Sequence, residues 1–190
     1  MDQEAAAAKD FPVLHTERLT LRPPQADDLA AIVELAGARE VAATTLRIPH
    51  PYTEADGRSF LAACQEAQAQ GERAMFAICR GAELIGMISL EVKPAHAHAE
   101  LGYWIGVPYW GHGYCTEAAR AVVKFGFETL KLHRIYAGHF AGNPASMRVL
   151  EKLGMRYEGC ARGHVQKWGK FLDVENYALL AEDYQRRRNP

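Results

Sequence analysis

The chain has little of what marks most specialised protein classes. It carries four cysteines in 190 residues, Cys64, Cys79, Cys115 and Cys160, and no CxxC pair. That scatter argues against a disulfide framework and fits a reduced, cytoplasmic setting. Charge of one sign is lacking too: 22 Lys and Arg face 23 Asp and Glu, a net charge of −1. No global positive field is present to hold a polyanion, which disfavours nucleic-acid binding as the main activity. Long apolar runs are missing. The longest uncharged stretch, residues 101–116, contains four glycines, a proline and a histidine and is too short to cross a bilayer as a helix. The N-terminal MDQEAAAAKD has no apolar segment, so residues 1–11 read as a flexible arm and not as a secretory signal.

What is present is an ordinary globular composition, 48% hydrophobic and 24% charged. A chain of this length buries roughly 70% of its unfolded surface. No repeat or linker divides it, so residues 12–185 read as one domain followed by a polar, solvated tail at 186–190. Alternation of Leu14, Leu19 and Leu21 with polar residues predicts a strand over 15–22. Asp27 and Asp28 open a helix through Ile32 and Leu35, with Gly37 near its end. Thr53 and Asp56 resemble a capping box for a second helix through Leu61 and Cys64. Segments 74–79 and 84–92, turning at Gly81, read as a hairpin. A strand over 100–107 precedes an amphipathic helix over 116–130, with Ala119, Val122, Val123, Gly126, Phe127 and Leu130 inward. A strand over 134–140 leads to a helix capped by Asn143 and begun by Pro144, which stops at Gly154. Strands at 155–160 and 174–180 close the chain around a turn at 163–170. The pattern is α+β, with a hairpin-rich sheet flanked by helices.

The sharpest local feature is the loop 110–115, WGHGYC, between a strand and a helix. Gly111 and Gly113 leave backbone N–H groups uncovered where a helix begins, and the helix's positive end points at the same spot. Such a place takes an anion, most naturally a phosphate or diphosphate. The same glycines also serve a plain turn. A P-loop is absent because GxxxxGK[ST] does not occur. A dinucleotide fingerprint fails at its third glycine, here Thr116, and no acidic residue lies near position 133 for a ribose.

The segments YWIGVPYWGHGYCTEA and RIYAGHFAGNPASMRVLEKLGM resemble the GCN5-related N-acetyltransferase (GNAT) superfamily, in particular the branch that acetylates ribosomal-protein N-termini. The resemblance extends from HTERLTLRPPQADD to WGKFLDVENYALL. It implies a mixed, mostly antiparallel sheet with a splayed strand pair forming an acetyl-CoA cleft. The family's Q/R-x-x-G-x-G/A falls on Trp110, Gly111, His112, Gly113, Tyr114 and Cys115. Gly113 matches, Trp110 replaces Gln/Arg, and Cys115 replaces the last small residue. By this resemblance the diphosphate sits on the N–H groups of Trp110 through Cys115 with the Thr116 hydroxyl, and pantetheine pairs with backbone at Tyr103, Trp104 and Ile105. Asn143 matches the family's asparagine near the pantetheine. The tyrosine that often follows it by seven residues, the acid for the departing thiolate, is replaced by Leu150, which makes Ser146 the candidate acid. Glu100, at the start of the strand before the loop, is the candidate base for the amine, with Glu91 next in line; a solvent-facing strand carboxylate is the plain alternative.

The activity so implied is transfer of acetyl from acetyl-CoA to a primary amine by direct attack in a ternary complex. The expected acceptor is a protein N-terminal α-amine, with a polyamine or drug amine as the alternative and a pocket built by the first two helices and the 47–52 loop. Two other readings stay open at this level, a non-catalytic acyl-CoA-binding module and a nucleotide-binding regulator. No metal, nucleic acid or membrane partner is expected; a homodimer is common in the branch. His96 and His98 sit two apart without a third ligand nearby, which favours exposed loop histidines over a metal site. His112 either faces the diphosphate or is solvated. Cys115 at a helix start invites a lowered thiol pKa.

Overall fold

In the computed structural model, which describes residues 12–188, alternation along the strands sorts apolar side chains onto two faces of one sheet. The strands are β1 (Leu14–His15), β2 (Thr20–Arg22), β3 (Arg73–Arg80), β4 (Glu83–Lys93), β5 (His98–Ile105), β6 (Arg134–Phe140), β7 (Arg156–Lys167) and β8 (Lys170–Leu180). Their order is β1-β2-β3-β4-β5-β6-β8-β7, and all neighbours are antiparallel except β5 and β6. Helices α1 (Leu29–Ala36), α2 (Arg39–Thr44) and α3 (Glu54–Ala69) precede β3; α4 (Tyr114–Glu128), α5 (Pro144–Leu153) and α6 (Ala181–Arg188) follow β5, β6 and β8. Phe76, Ile78, Leu90, Leu101 and Ile135 pack with Val122, Val123 and Leu150 of α4 and α5. Met75, Ala77 and Met87, from alternate positions, pack with Ile32, Leu61 and Cys64 of α1 and α3. Each fully buried Val, Leu, Ile, Phe or Met among them contributes about 1.5–3 kcal/mol.

The parallel pair is the feature that makes a cleft. β5 and β6 are in register only at His98↔Arg134, Ala99↔Ile135 and Glu100↔Tyr136. Beyond Glu100 and Tyr136 both strands continue, to Ile105 and Phe140, without pairing to each other. β5 stays paired with β4 as far as Gly86↔Ile105, and β6 with β8 as far as Phe140↔Val174. The facing edges are therefore open on a slot flanked by strands held firmly on their outer sides.

Several local expectations change. The 15–22 strand is two short strands, because Glu17 and Arg18 form a turn closed between Thr16 and Leu19. Helix α2 lacks the apolar periodicity that would have marked it. The last hairpin is longer than its hydrophobic pattern: its loop is only Trp168 and Gly169, with φ 49° and 76°, the two positive values of a tight type I′ turn. Gly163 instead marks an irregularity of register between Ala161 and Val165. Leu130 follows the end of α4 and is 37% exposed, because the helix stops at Glu128. Residues 186–188 continue helix α6, on which Arg186 is exposed and pairs with Glu182 at 3.2 Å. The 1–11 arm and residues 189–190 lie outside the described residues. Among the described residues no helix is long and apolar enough to cross a membrane.

Candidate active site

The glycine loop leads into α4 through two residues of left-handed backbone. Gly111 and Gly113 have φ 79° and 80°, values that only glycine adopts without strain. Gly113 is the N-cap of α4, and having no side chain it leaves the first-turn N–H groups uncapped. A Cβ at Gly111 would meet nothing within 4 Å, so this backbone is open to a ligand. The cradle begins later than the motif implied. The Trp110 N–H donates to the Val107 carbonyl at 3.2 Å, and its indole N–H donates to the Ile105 carbonyl at 2.7 Å. Trp110 thus braces the end of β5, and the N–H groups left for an anion are those from Gly111 to Cys115. Thr116, in the first turn of α4, is buried. Burial also pushes the Cys115 thiol up to about 12, opposite to the lowering anticipated from a helix start. His112 is exposed, stacks on Tyr114, and offers its carbonyl to Arg18.

Arg18 was not legible as a site residue. The Glu117 carboxylate in the first turn of α4 accepts from the Thr16 hydroxyl at 2.6 Å, the Arg18 N–H at 2.8 Å and the Arg18 Nε at 2.7 Å. The Arg18 guanidinium also reaches the His112 carbonyl at 3.1 Å and lies 4.7 Å from the Tyr114 ring centroid. Partial burial raises the Glu117 pKa, but these donors outweigh it and the net direction is down. The β1–β2 turn therefore fixes the first turn of α4 against the glycine loop. Only the register of two distant segments reveals it.

Across the slot, Asn143 accepts the Ser146 N–H at 3.1 Å as the N-cap of α5, so its side-chain oxygen is engaged and only its amide NH2 remains for a ligand. Leu150 is fully buried in the core, which removes position 150 from any proton chemistry. Ser146 Oγ lies 2.7 Å from the Tyr103 hydroxyl, a side-chain bond joining β5 to α5 over the open part of the slot. Burial raises the Tyr103 phenol above its ordinary value, with the Cys115 thiol adding to it, while the Ser146 bond opposes. Tyr103 consequently stays protonated, a hydroxyl that hydrogen-bonds without ionising. Its side chain faces the α4 side, whereas Glu100 and Trp104 project from the opposite face.

On that opposite face Glu100 stands across from Glu91 in register. Glu91 is taken by cations: Arg47 at 2.9 Å, Arg73 at 3.1 Å and Lys93 at 3.9 Å. Burial pulls its pKa up, but the Arg47 hydrogen bond and the two guanidinium charges hold it below the usual carboxylate range. Glu100 makes no ion pair among the described residues, and Arg47 feels its charge. His98 lies between His96 and His133 with ring centroids 5.8 and 6.3 Å apart, a stack and not a converging ligand set. Among the described residues no three His, Cys, Asp or Glu are placed to hold a metal.

Residues 18–156 match the family model described as an acetyltransferase (GNAT) domain. The chain is 38% identical over 142 residues to the probable N-acetyltransferase YjcK of Bacillus subtilis, covering 73% of this chain and 78% of that one. Its fold superposes with TM-score 0.85 on RimL, a ribosomal L7/L12 alpha-N-protein acetyltransferase solved with coenzyme A, at 19% identity, covering 90% of this chain and 99% of that one. Two Escherichia coli relatives name different acceptors. One is a ribosomal-protein-serine acetyltransferase, 30% identical over 60% of this chain and 64% of its own; the other is a spermidine N(1)-acetyltransferase, 33% identical over 47% of this chain and 48% of its own.

Proposed function

This chain belongs to the GNAT family of acetyl-CoA-dependent N-acetyltransferases, and we propose that the amine it acetylates is a protein N-terminal α-amine, with the reaction taking place in the cytoplasm. The observation that carries the choice of acceptor is the charge around Glu91 and Glu100. A polyamine brings three or four positive charges and needs several free anions. Here Glu91 is already shared by Arg47, Arg73 and Lys93, whereas Glu100, opposite it in register, makes no ion pair among the described residues and can meet an ammonium. One free carboxylate suits one α-ammonium followed by neutral peptide.

Acetyl-CoA fits the groups present. The open N–H groups from Gly111 to Cys115 and the positive end of α4 suit its diphosphate, and the unpaired edges of β5 and β6 suit the amide-bearing pantetheine arm. It supplies an activated acetyl group and a stable thiolate leaving group. Glu100, on the acceptor face, takes the proton from the ammonium directly or through one water, which frees the amine to attack. The free backbone edge of β5 offers N–H groups to the developing oxyanion. On the other face Ser146 and Tyr103 form a two-hydroxyl relay to the departing sulfur, in place of the tyrosine that Leu150 displaces. Holding amine and thioester in line supplies most of the remaining rate. The test is release of free CoA thiol with a peptide bearing N-terminal serine and with spermidine. A kcat/KM for the peptide at least ten-fold above that for spermidine is expected; the reverse order would sink the acceptor assignment.

A further inference from the structure

Lys167 has no part in the chemistry above, yet its ammonium is among the best-anchored cations in the fold. It sits at the end of β7, is only 8% exposed, and pairs with no carboxylate among the described residues. Its three donors go to backbone carbonyls of one loop: Thr45 at 2.7 Å, Leu46 at 3.3 Å and Ile48 at 2.7 Å. Burial lowers its pKa, and the three carbonyl dipoles together with the Trp168 ring, 5.2 Å from the ammonium, take the place of the lost water. The neighbouring Trp168 adds to the same anchorage, 6.4 Å from the His50 ring and 5.8 Å from the Arg39 guanidinium. The hairpin tip thus grips the α2–α3 loop from 119 to 122 residues away.

The gripped carbonyls flank one residue, Arg47. Its side chain is 68% exposed and would be mobile on a free loop, but its backbone is held on both sides. From there the guanidinium reaches Glu91 and lies within the field of Glu100. The groups facing this spot are Glu91, Arg73 and Lys93 from β3 and β4, and Glu100 and Tyr136 from β5 and β6. We propose that Lys167 is a specificity-determining positioning residue: by locking the 45–48 loop it fixes the Arg47 cation at the acceptor mouth, and that fixed cation discriminates against polycationic amines in favour of a singly charged α-amine. The inference rests on the acceptor face assigned above.

The experiment is a double-mutant cycle of Lys167→Met and Arg47→Ala. It reads the ratio of kcat/KM for the N-terminal serine peptide to that for spermidine, together with KM for acetyl-CoA. Arg47→Ala should shift the ratio toward spermidine about ten-fold, the effect of about 1.4 kcal/mol. Lys167→Met should shift it in the same direction, and the double variant should go no further than Arg47→Ala alone. The KM for acetyl-CoA should stay within about two-fold throughout, since the bonds of Arg47 and Lys167 go to Glu91 and the 45–48 loop and not to the glycine loop. Independent, multiplying effects would show that Lys167 does not act through Arg47, and an unchanged ratio in Lys167→Met would overturn the proposal. A ratio unchanged in Arg47→Ala would also overturn it, by removing the filter itself. A wild type that prefers spermidine condemns the acceptor reading instead. A readout without turnover is tryptic cleavage after Arg47, which should accelerate in Lys167→Met; an unaltered cleavage rate counts against the lock. Should Lys167→Met not fold, Lys167→Gln, which keeps two donors, carries the same cycle.

Discussion

At the proposed cofactor end of the slot, the groups offered to a ligand are backbone N–H groups of consecutive residues, Gly111 to Cys115, at the start of one helix. At the acceptor end they are side chains, Glu91, Glu100, Arg47 and Arg73, gathered from three strands and a loop that the far hairpin holds in place. The first kind of site is specified by local conformation, so a short motif encodes it. The second is specified by register and by long-range bonds, so no motif does. One consequence is mutational. Side-chain truncation should be mild at the cofactor end, glycines excepted, and severe at the acceptor end where the side chain is Glu100.

The largest effect expected is at Glu100. Glu100→Gln keeps the shape and removes the base, so kcat/KM should fall by about 100-fold or more and the acidic limb of its pH profile should vanish. Glu91→Gln should cost far less, because Glu91 is already neutralised by Arg47 and Arg73. If the two variants behave alike, Glu100 has no special role. Next comes Gly113→Val. A branched side chain at φ 80° costs about 1–3 kcal/mol of strain and crowds the cradle, so the acetyl-CoA Kd should rise at least about ten-fold. Calorimetric titration at matched folded fraction checks this; an unaltered Kd removes the anion cradle from the account.

Between the two ends, Ser146→Ala and Tyr103→Phe should each lower kcat about ten-fold with little change in KM. Because the two hydroxyls are bonded to each other, the double variant should be no worse than about the poorer single. Multiplying losses would show two separate roles. Asn143→Ala should cost about 1 kcal/mol of stability through the lost N-cap. A further drop in kcat/KM at equal folded fraction would assign its amide NH2 to the cofactor.

The smallest expected effect is in acid stability. Asp28, Glu91 and Glu117 all have pKa values held below their ordinary 3.8 to 4.5 by partners that outweigh burial. A carboxylate lowered on folding adds stability that is present above its unfolded pKa and lost as pH falls through the folded one. The urea midpoint should therefore be level near neutrality and decline below about pH 4.5. Glu117→Gln should flatten that decline more than Glu91→Gln does, since Glu117 takes three donors from one turn while Arg47 is largely solvated. Equal slopes would mean that the two ends of the slot are not anchored differently.

Amino-acid pattern alone determined the elements whose causes are local. The Thr53–Asp56 capping box, the Asn143–Pro144 helix start, the Gly154 stop at φ 81° and the β3–β4 hairpin each lie within a few residues of the groups that make them. The glycine loop belongs with them, because φ near 80° is a property of Gly111 and Gly113 themselves. Tertiary structure alone decided that Trp110 spends its indole N–H on β5, that Thr116 and Cys115 turn inward, that Tyr103 meets Ser146 over the slot, and that Lys167 grips the loop bearing Arg47. Each of these depends on which strand lies beside which and in what register. A polar side chain carries no local sign of the partner that burial will force on it. Glu91 and Glu100 look alike as strand carboxylates, and only the cations that the fold brings to Glu91 make Glu100 the one left free.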